Sequence, residues 1–544
     1  MTQFTRREIL RAGAAGLAAA AVPFGGAGRA SAARGLAGTR PNIILILTDD
    51  QGYGDVGRHG HPFLKTPHLD ALHDESLRFT DFHVSPYCVP TRAALLTGRN
   101  PARCGVTGCR WRLTPGIPTL AEVLRAAGYA TGVFGKWHLG DDAPCRPDRR
   151  GFDEALIHGG GYLGSPWGDF PNNSYFDPVL YHNGEVEETR GYCADVFFER
   201  ALAWATSVRD EKPFFVYLAP NTPHEPFVAP EAYIAPYRDA VRSYAKDPSF
   251  LGQRLEPEEQ AAYFGMIANL DANVGRLVER LRAADLERET LVVYMNDNGT
   301  VAGGGYWNAG MRGGKATVFS GGTRAISYWR MPGTIAPGAC DALAAHLDVF
   351  PTLAALAGAE PPADVQEELE GRSLLPLIED PEAPWGERML FEHQGTWRQG
   401  KSGPHVHSAC SVRRGKLHML RNERVCEADC PLCGTILHFV NGGDSTIRAA
   451  GWELYDLASD PGERRDVASE QPEVVAELAS AYEAWWRAMQ PYHGDTEPGF
   501  SHSDPLPFAA MYWRKYRGPG PNDAPPPEGF VEEMGRREGR ARRD

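Results

Sequence analysis

Four continuous apolar runs punctuate the chain, and each stops at a polar cluster. Ile43-Ile44-Leu45-Ile46-Leu47 ends in Thr48-Asp49-Asp50-Gln51-Gly52, and Ala130-Thr131-Gly132-Val133-Phe134 in Gly135-Lys136-Trp137-His138. Phe214-Phe215-Val216-Tyr217-Leu218 ends in Ala219-Pro220-Asn221-Thr222-Pro223-His224, and Leu291-Val292-Val293-Tyr294-Met295 in Asn296-Asp297-Asn298-Gly299. Runs of strand length with no polar face suit a sheet covered on both sides. Helical patterns follow them, at Asp195 to Thr206 and Tyr263 to Ala284. The alternation predicts an α/β fold with a mostly parallel central sheet flanked by helices. Sites in such sheets gather beyond the carboxyl ends of the strands, so all four clusters are expected on one edge.

Taken singly, Asp-Asp-Gln-Gly and Asn-Asp-Asn-Gly are good turn sequences, and a lone histidine after proline is an ordinary surface residue. Four clusters at equivalent positions are harder to dismiss. Asp49, Asp50, Asp297 and Asn298 offer hard oxygen ligands, which suit Ca²⁺ or Mg²⁺ rather than zinc. Lys136, His138 and His224 stand at the ends of the other two strands.

Cys88-Val89-Pro90-Thr91-Arg92 leads into Ala93-Ala94-Leu95-Leu96, good helix material that ends at Gly98. Proline belongs in a first turn, so Cys88 is expected at the helix N-terminus, where the dipole favours an anion. Arg92 returns to the same face. Local grounds allow a low-pKa thiolate nucleophile, yet a thiolate is a poor ligand for the hard cation that the oxygen cluster implies.

Length and composition frame these motifs. The 544 residues are 42% hydrophobic and 23% charged, as in a globular protein with a large core, and 60 Gly and 43 Pro imply many loops. A net charge of −14 argues against nucleic acid as a partner but not against a small anionic substrate. Thr5-Arg6-Arg7-Glu8-Ile9-Leu10, an Ala/Gly stretch through Phe24 and Ala30-Ser31-Ala32 read as a twin-arginine-type signal peptide over residues 1–32. An exported protein, periplasmic or extracellular, is expected. No segment approaches the roughly 18 uninterrupted apolar residues of a membrane span. Ten cysteines in an exported chain permit disulfides. Cys426-x3-Cys430-x2-Cys433 suggests a disulfide pair or a structural zinc site, with Cys410 or His438.

Cys88-x-Pro90-x-Arg92 followed by Ala-Ala-Leu-Leu-Thr-Gly-Arg resembles the signature of the formylglycine-dependent, arylsulfatase-like sulfatases of the alkaline phosphatase superfamily. The resemblance extends through Asp49-Asp50, Gly135-Lys136-Trp137-His138, Pro223-His224, Asn296-Asp297-Asn298-Gly299 and Arg312-Gly313-Gly314-Lys315. It continues into Leu454-Tyr455-Asp456-Leu457 and Asp460-Pro461, and covers about residues 41 to 490 in the family's order. It implies an alkaline phosphatase-like catalytic domain over 40–385 and a smaller C-terminal α+β domain over 386–490; the tail over 491–544, rich in Pro, Gly and aromatics and then charged from Glu532, is expected on composition to wrap the surface or be partly disordered. The resemblance also implies that a formylglycine-generating enzyme oxidises Cys88, and that Asp49, Asp50, Asp297, Asn298 and the modified Cys88 hold Ca²⁺. Arg92, Lys136 and Lys315 would complement the sulfate, His224 with Lys315 would protonate the leaving oxygen, and His138 would take a proton from the hydrated aldehyde. The implied reaction is hydrolysis of a sulfate ester on a carbohydrate or aryl group. The alternatives are a phosphonate or phosphate ester hydrolase, or a sulfated-glycan binder with unmodified Cys88. Two positions depart from the pattern: Thr91 stands where many members carry serine, and Ser320 where the family usually has an acidic residue that would support Lys315. His158 matches a substrate contact only loosely.

Overall fold

The computed structural model describes residues 35–107, 112–161, 163, 174–246, 255–395, 397, 402–421, 451–493 and 515. The residues read as an export signal, Cys426, Cys430, Cys433, His438 and nearly all of the tail lie outside the described residues. The central sheet contains β1 (Asn42–Thr48), β2 (Leu77–Phe79), β3 (Ala130–Lys136), β4 (Glu154–His158), β5 (Val179–His182), β6 (Glu185–Glu188), β7 (Phe214–Ala219), β8 (Thr290–Asn296), β9 (Ser327–Arg330) and β10 (Gly338–Cys340). Their spatial order is β10-β2-β9-β8-β1-β7-β3-β4-β5-β6. Strands β8, β1, β7, β3 and β4 run parallel, β9 enters antiparallel to β8, and β5 and β6 close the far edge as antiparallel additions. The four predicted strands are thus the middle of a mixed, mostly parallel sheet.

Alternation along β1 explains why no face of it is polar. Ile43, Leu45 and Leu47 join Phe215, Tyr217, Leu291 and Val293 on one side, packed with Leu95, Phe350 and Leu353. Ile44 and Ile46 join Val216, Leu218 and Val292 on the other, packed with Phe197, Met266 and Leu270. Each face is covered by helices, as parallel strands require. On the first side lies α1 (Cys88–Thr97), every residue of which is buried. On the second lie α2 (Cys193–Val208) and α3 (Pro257–Ala283). Helix α3 starts six residues earlier than its apolar pattern, because Pro257 sits in its first turn and Glu256 and Glu259 form a capping box.

The chain from Leu36 onward forms one compact unit. Its C-terminal part adds the antiparallel sheet β11 (Met389–His393), β12 (Cys410–Arg414), β13 (Leu417–Arg421) and β14 (Glu453–Asp456), in that order. Leu478, Tyr482 and Trp486 of α4 (Pro472–Met489) pack on it with Val412, Met419 and Leu454. Among the described residues no helix is long and apolar enough to cross a membrane. Cys104, Cys145, Cys193 and Cys340 are buried free thiols.

Gly135 lets β3 deliver Lys136. Its φ is 113°, and a Cβ there would lie 2.1 Å from the Ala219 carbonyl oxygen of β7. Gly135→Ala combines backbone strain with overpacking, so a loss of about 2–5 kcal/mol in urea unfolding is expected. Wild-type stability in this variant would contradict the β3–β7 packing.

Candidate active site

The strand ends meet as parallel pairing dictates. Thr48 of β1 is level with Asn296 of β8, so Asp49 and Asp297 leave adjacent strands side by side. The Asp297 amide donates to the Thr48 carbonyl at 3.0 Å, and the Asp49 amide to the Thr222 carbonyl at 3.2 Å. The loop carrying His224 is thereby tied to β1. Asp50 has φ 66°, His138 φ 58° and Ala316, next to Lys315, φ 67°. Three non-glycine residues in the left-handed region at one site are held there by their surroundings.

Three buried carboxylates face three cations. Lys136 Nζ donates to Asp49 Oδ2 at 2.6 Å, Arg92 Nη2 to Asp297 Oδ2 at 2.7 Å, and Lys315 Nζ to Asp50 Oδ2 at 2.7 Å. Asn298 Nδ2 donates to Asp50 Oδ1 at 2.9 Å, and His224 Nε2 lies 3.5 Å from Asp50 Oδ2. Burial opposes ionisation of Asp50, but Lys315, His224 and Lys136 hold its carboxyl well below the usual range. Burial and the neighbouring Asp49 push Asp297 up to about 7. Lys315 sits above the ordinary lysine range despite its burial, because Asp50 is bonded to it. Such a cluster is balanced only while every member keeps a partner.

The oxygens left over suit a hard metal ion. Asp49 Oδ1 and Asn298 Oδ1 are buried with no hydrogen-bond partner. Ligand atoms of Asp49, Cys88 and Asp297 lie within 4.8 Å of one another, as do those of Asp49, Asp50 and His224. Carboxylate and amide oxygens at one point fit Ca²⁺ or Mg²⁺, and the sulfur of Cys88, beside the Asp49 and Asp297 oxygens, is out of character with them.

Cys88 occupies the N-terminus of α1 as expected, Tyr87 being extended before it and Gly98 closing the helix with φ 65°. The thiolate that local grounds allow is not favoured there. Burial pushes the thiol up and outweighs the pull of Lys136 and Lys315, because desolvation of a small anion exceeds the gain from one helix terminus. Cys88 Sγ lies 3.6 Å from His138 Nδ1. Burial and the cations Lys136 and Arg92 hold His138 neutral, well below the usual range, and burial takes His224 down to about 4. His224 Nδ1 lies 2.8 Å from the Glu225 carbonyl, an acceptor that fixes the proton on Nδ1 and leaves Nε2 toward Asp50.

All the candidate residues therefore converge: Asp49, Asp50, Cys88, Arg92, Lys136, His138, His224, Asp297, Asn298 and Lys315. His158 comes beside them, level with Lys136 across β3 and β4, with its Nε2 buried and unpartnered. Ser320 does not stand alone, since its backbone amide and hydroxyl both donate to Glu463. Sequence reasoning missed three supporting residues. Arg92 Nη1 donates to the Tyr217 hydroxyl at 3.4 Å, and a lone phenol inside a buried apolar strand signals such a partner. Asp55 accepts from the Gly52 amide at 2.7 Å and the Tyr263 hydroxyl at 2.6 Å, bracing the turn after Asp50. Glu463 carries no local signal at all.

Known proteins place this site in context. The Sulfatase family model matches residues 41–359, more than half of the chain. Arylsulfatase A of Homo sapiens is 34% identical over 498 residues, covering 82% of this chain and 88% of its own. N-acetylgalactosamine-6-sulfatase of Sus scrofa is 33% identical over 398 residues, covering 65% and 69%. Among solved structures, Ps i-CgsB in complex with k-i-k-neocarrahexaose superposes with a TM-score of 0.66 at 27% identity, covering 88% of this chain and 98% of its own. With the fold, the site and these relatives in agreement, the chain belongs to the sulfatase family, the hydrolases of sulfate esters.

Proposed function

We propose that the protein removes the sulfate ester from a sulfated carbohydrate or an aryl sulfate outside the cytoplasm, using formylglycine made from Cys88 and Ca²⁺ held by Asp49, Asp50, Asp297 and Asn298. One observation carries this reading. The Cys88 sulfur lies within 4.8 Å of carboxylate oxygens of Asp49 and Asp297, at the point where a hard metal ion would sit. Sulfur is misplaced there and an oxygen is not. The relatives support the substrate class, since their names speak of aryl sulfates and N-acetylgalactosamine 6-sulfate. Export rests on the twin-arginine-type signal, and maturation on a formylglycine-generating enzyme.

In the mechanism, the Cys88 Sγ position stands for the reacting oxygen of the modified residue. The hydrated aldehyde would supply an oxygen nucleophile with a second hydroxyl, and the metal, when bound, Lewis-acid polarisation of the sulfate. Arg92, Lys136 and Lys315 complement the sulfate oxygens and the charge that grows on them in the transition state. His138 Nδ1, 3.6 Å from the Cys88 sulfur, takes a proton from the hydroxyl at that residue. Lys315 and His224 converge on Asp50 and are placed to deliver the proton to the departing oxygen, Lys315 carrying it in the resting site and His224 only after taking up a proton on Nε2.

Mass analysis of the Cys88 peptide from the native host is expected to show the aldehyde, and an intact thiol would sink the reading. Matched aryl sulfate and aryl phosphonate esters should be cleaved with the sulfate preferred; a phosphonate preference would overturn the substrate assignment. Chelation is expected to abolish turnover and lower the melting temperature by several degrees, with millimolar Ca²⁺ restoring both better than Mg²⁺. Full activity after exhaustive chelation would remove the metal from the mechanism.

A further inference from the structure

Glu463 lies in the loop after β14, fully buried and with φ 54°. Its carboxylate accepts from the Ser320 amide at 2.9 Å, the Ser320 hydroxyl at 2.8 Å and His418 Nδ1 at 2.5 Å. Arg413 Nη2 lies 3.9 Å from it and donates to Ser320 Oγ at 3.1 Å and Thr323 Oγ1 at 3.2 Å. Burial opposes its charge, but His418 and Arg413 keep the carboxyl below the usual range, so a fixed negative charge sits here. Arg413 and His418 belong to β12 and β13, so the whole anchor comes from the C-terminal sheet and its following loop.

Ser320 opens the turn Ser320–Thr323, and that turn touches both loops of the active site. The Gly321 amide donates to the Arg312 carbonyl at 2.8 Å, and the Gly322 carbonyl accepts from the Gly299 amide at 2.9 Å. A Cβ on Gly321 would lie 2.4 Å from the Gly313 carbonyl oxygen, one on Gly322 2.1 Å from that of Thr317, and one on Gly299 2.0 Å from that of Gly321. Backbone presses on backbone at all three glycines, with the Asn308 amide equally close to Gly321. Any movement of the turn is carried to Asn298 on one side and Lys315 on the other.

We propose that Glu463 is a positioning residue for sulfate ester hydrolysis: it pins the Ser320–Thr323 turn and thereby sets the places of Lys315 and Asn298. The inference rests on the roles given to those two residues above. A buried carboxylate that merely filled space would cost stability without a kinetic pattern of its own. Glu463→Gln keeps the shape and one accepting oxygen but loses the charge. It is expected to lower kcat by about 10–100-fold with KM within about twofold, as for an interaction felt mainly in the transition state. Lys315→Ala should lose more, and at saturating Ca²⁺, where the Asn298 route is silent, Glu463→Gln with Lys315→Ala should be within about twofold of Lys315→Ala alone, because both losses then run through Lys315. Ser320→Ala should lose about threefold with the same non-additivity, and decides the matter if Glu463→Gln does not fold. The Ca²⁺ midpoint for thermal stabilisation, which Asn298 sets, should rise severalfold in Glu463→Gln. Unchanged kcat in folded Glu463→Gln, or multiplicative losses in the double variant, would overturn the proposal. A wild-type rate in Lys315→Ala would instead retire the proton-delivery role of that lysine, and Glu463 would then be decided by the Ca²⁺ midpoint alone.

Discussion

Cys88→Ala is expected to lose aryl sulfate turnover by at least about a thousandfold while keeping its fold. The thiol is small and sits at the first residue of a helix whose remaining contacts are untouched, so its removal should cost no more than about 1–2 kcal/mol. The rise of melting temperature with Ca²⁺ should persist, since Asp49, Asp50, Asp297 and Asn298 stay in place. Cys88→Ser divides the two duties of the residue. A single hydroxyl can attack sulfur once but has no second hydroxyl through which to release it, so about one equivalent of product should appear and then stop. Near-normal turnover in Cys88→Ala, measured in protein of verified mass, would exclude this residue as the nucleophile.

The second large effect is expected at Arg92, where stability and catalysis fall together. Its guanidinium is fully buried, 2.7 Å from Asp297 Oδ2 and 3.8 Å from Asp49 Oδ1, and also donates to the Lys136 carbonyl at 3.2 Å. Arg92→Met keeps the bulk and deletes the charge, leaving Asp297 buried beside Asp49 with no cation bonded to it. Breaking a buried pair on one side costs about 3–5 kcal/mol. A comparable loss in urea unfolding is expected, offset in part by Ca²⁺ if it is held by the same carboxylates as proposed. Turnover should drop by at least about a hundredfold, as one cation proposed to face the sulfate is gone. An Arg92→Met protein with wild-type stability and rate would contradict both the ion pairs and the role assigned to the residue.

Much of this architecture was legible because buried parallel strands write themselves as unbroken apolar runs. Strands β1, β3, β7 and β8 announced themselves in that way, and their polar ends followed. Strand β9 did not. Its sequence Ser327-Tyr328-Trp329-Arg330 contains an arginine that is buried only because Glu75 and Glu287 reach it from elsewhere. A charge compensated across the fold looks, in sequence, like a residue at the surface. The residues that converge were legible one by one, whereas the environment of the Cys88 thiol was not. A helix terminus is visible in the chain, whereas the burial that outweighs it exists only after folding. Glu463 lies beyond local reading for a related reason, since its partner Ser320 is 143 residues away.

The complete burial of helix α1 would also set a clock on the proposed maturation. An enzyme that rewrites Cys88 would have to grasp the residues around it, and in the folded protein Cys88 through Thr97 are all enclosed. On that proposal conversion becomes a race between the modifier and the closing of the core. Active yield should depend on how long the young chain stays open, so that faster folding, a benefit to most proteins, would here leave more molecules permanently idle.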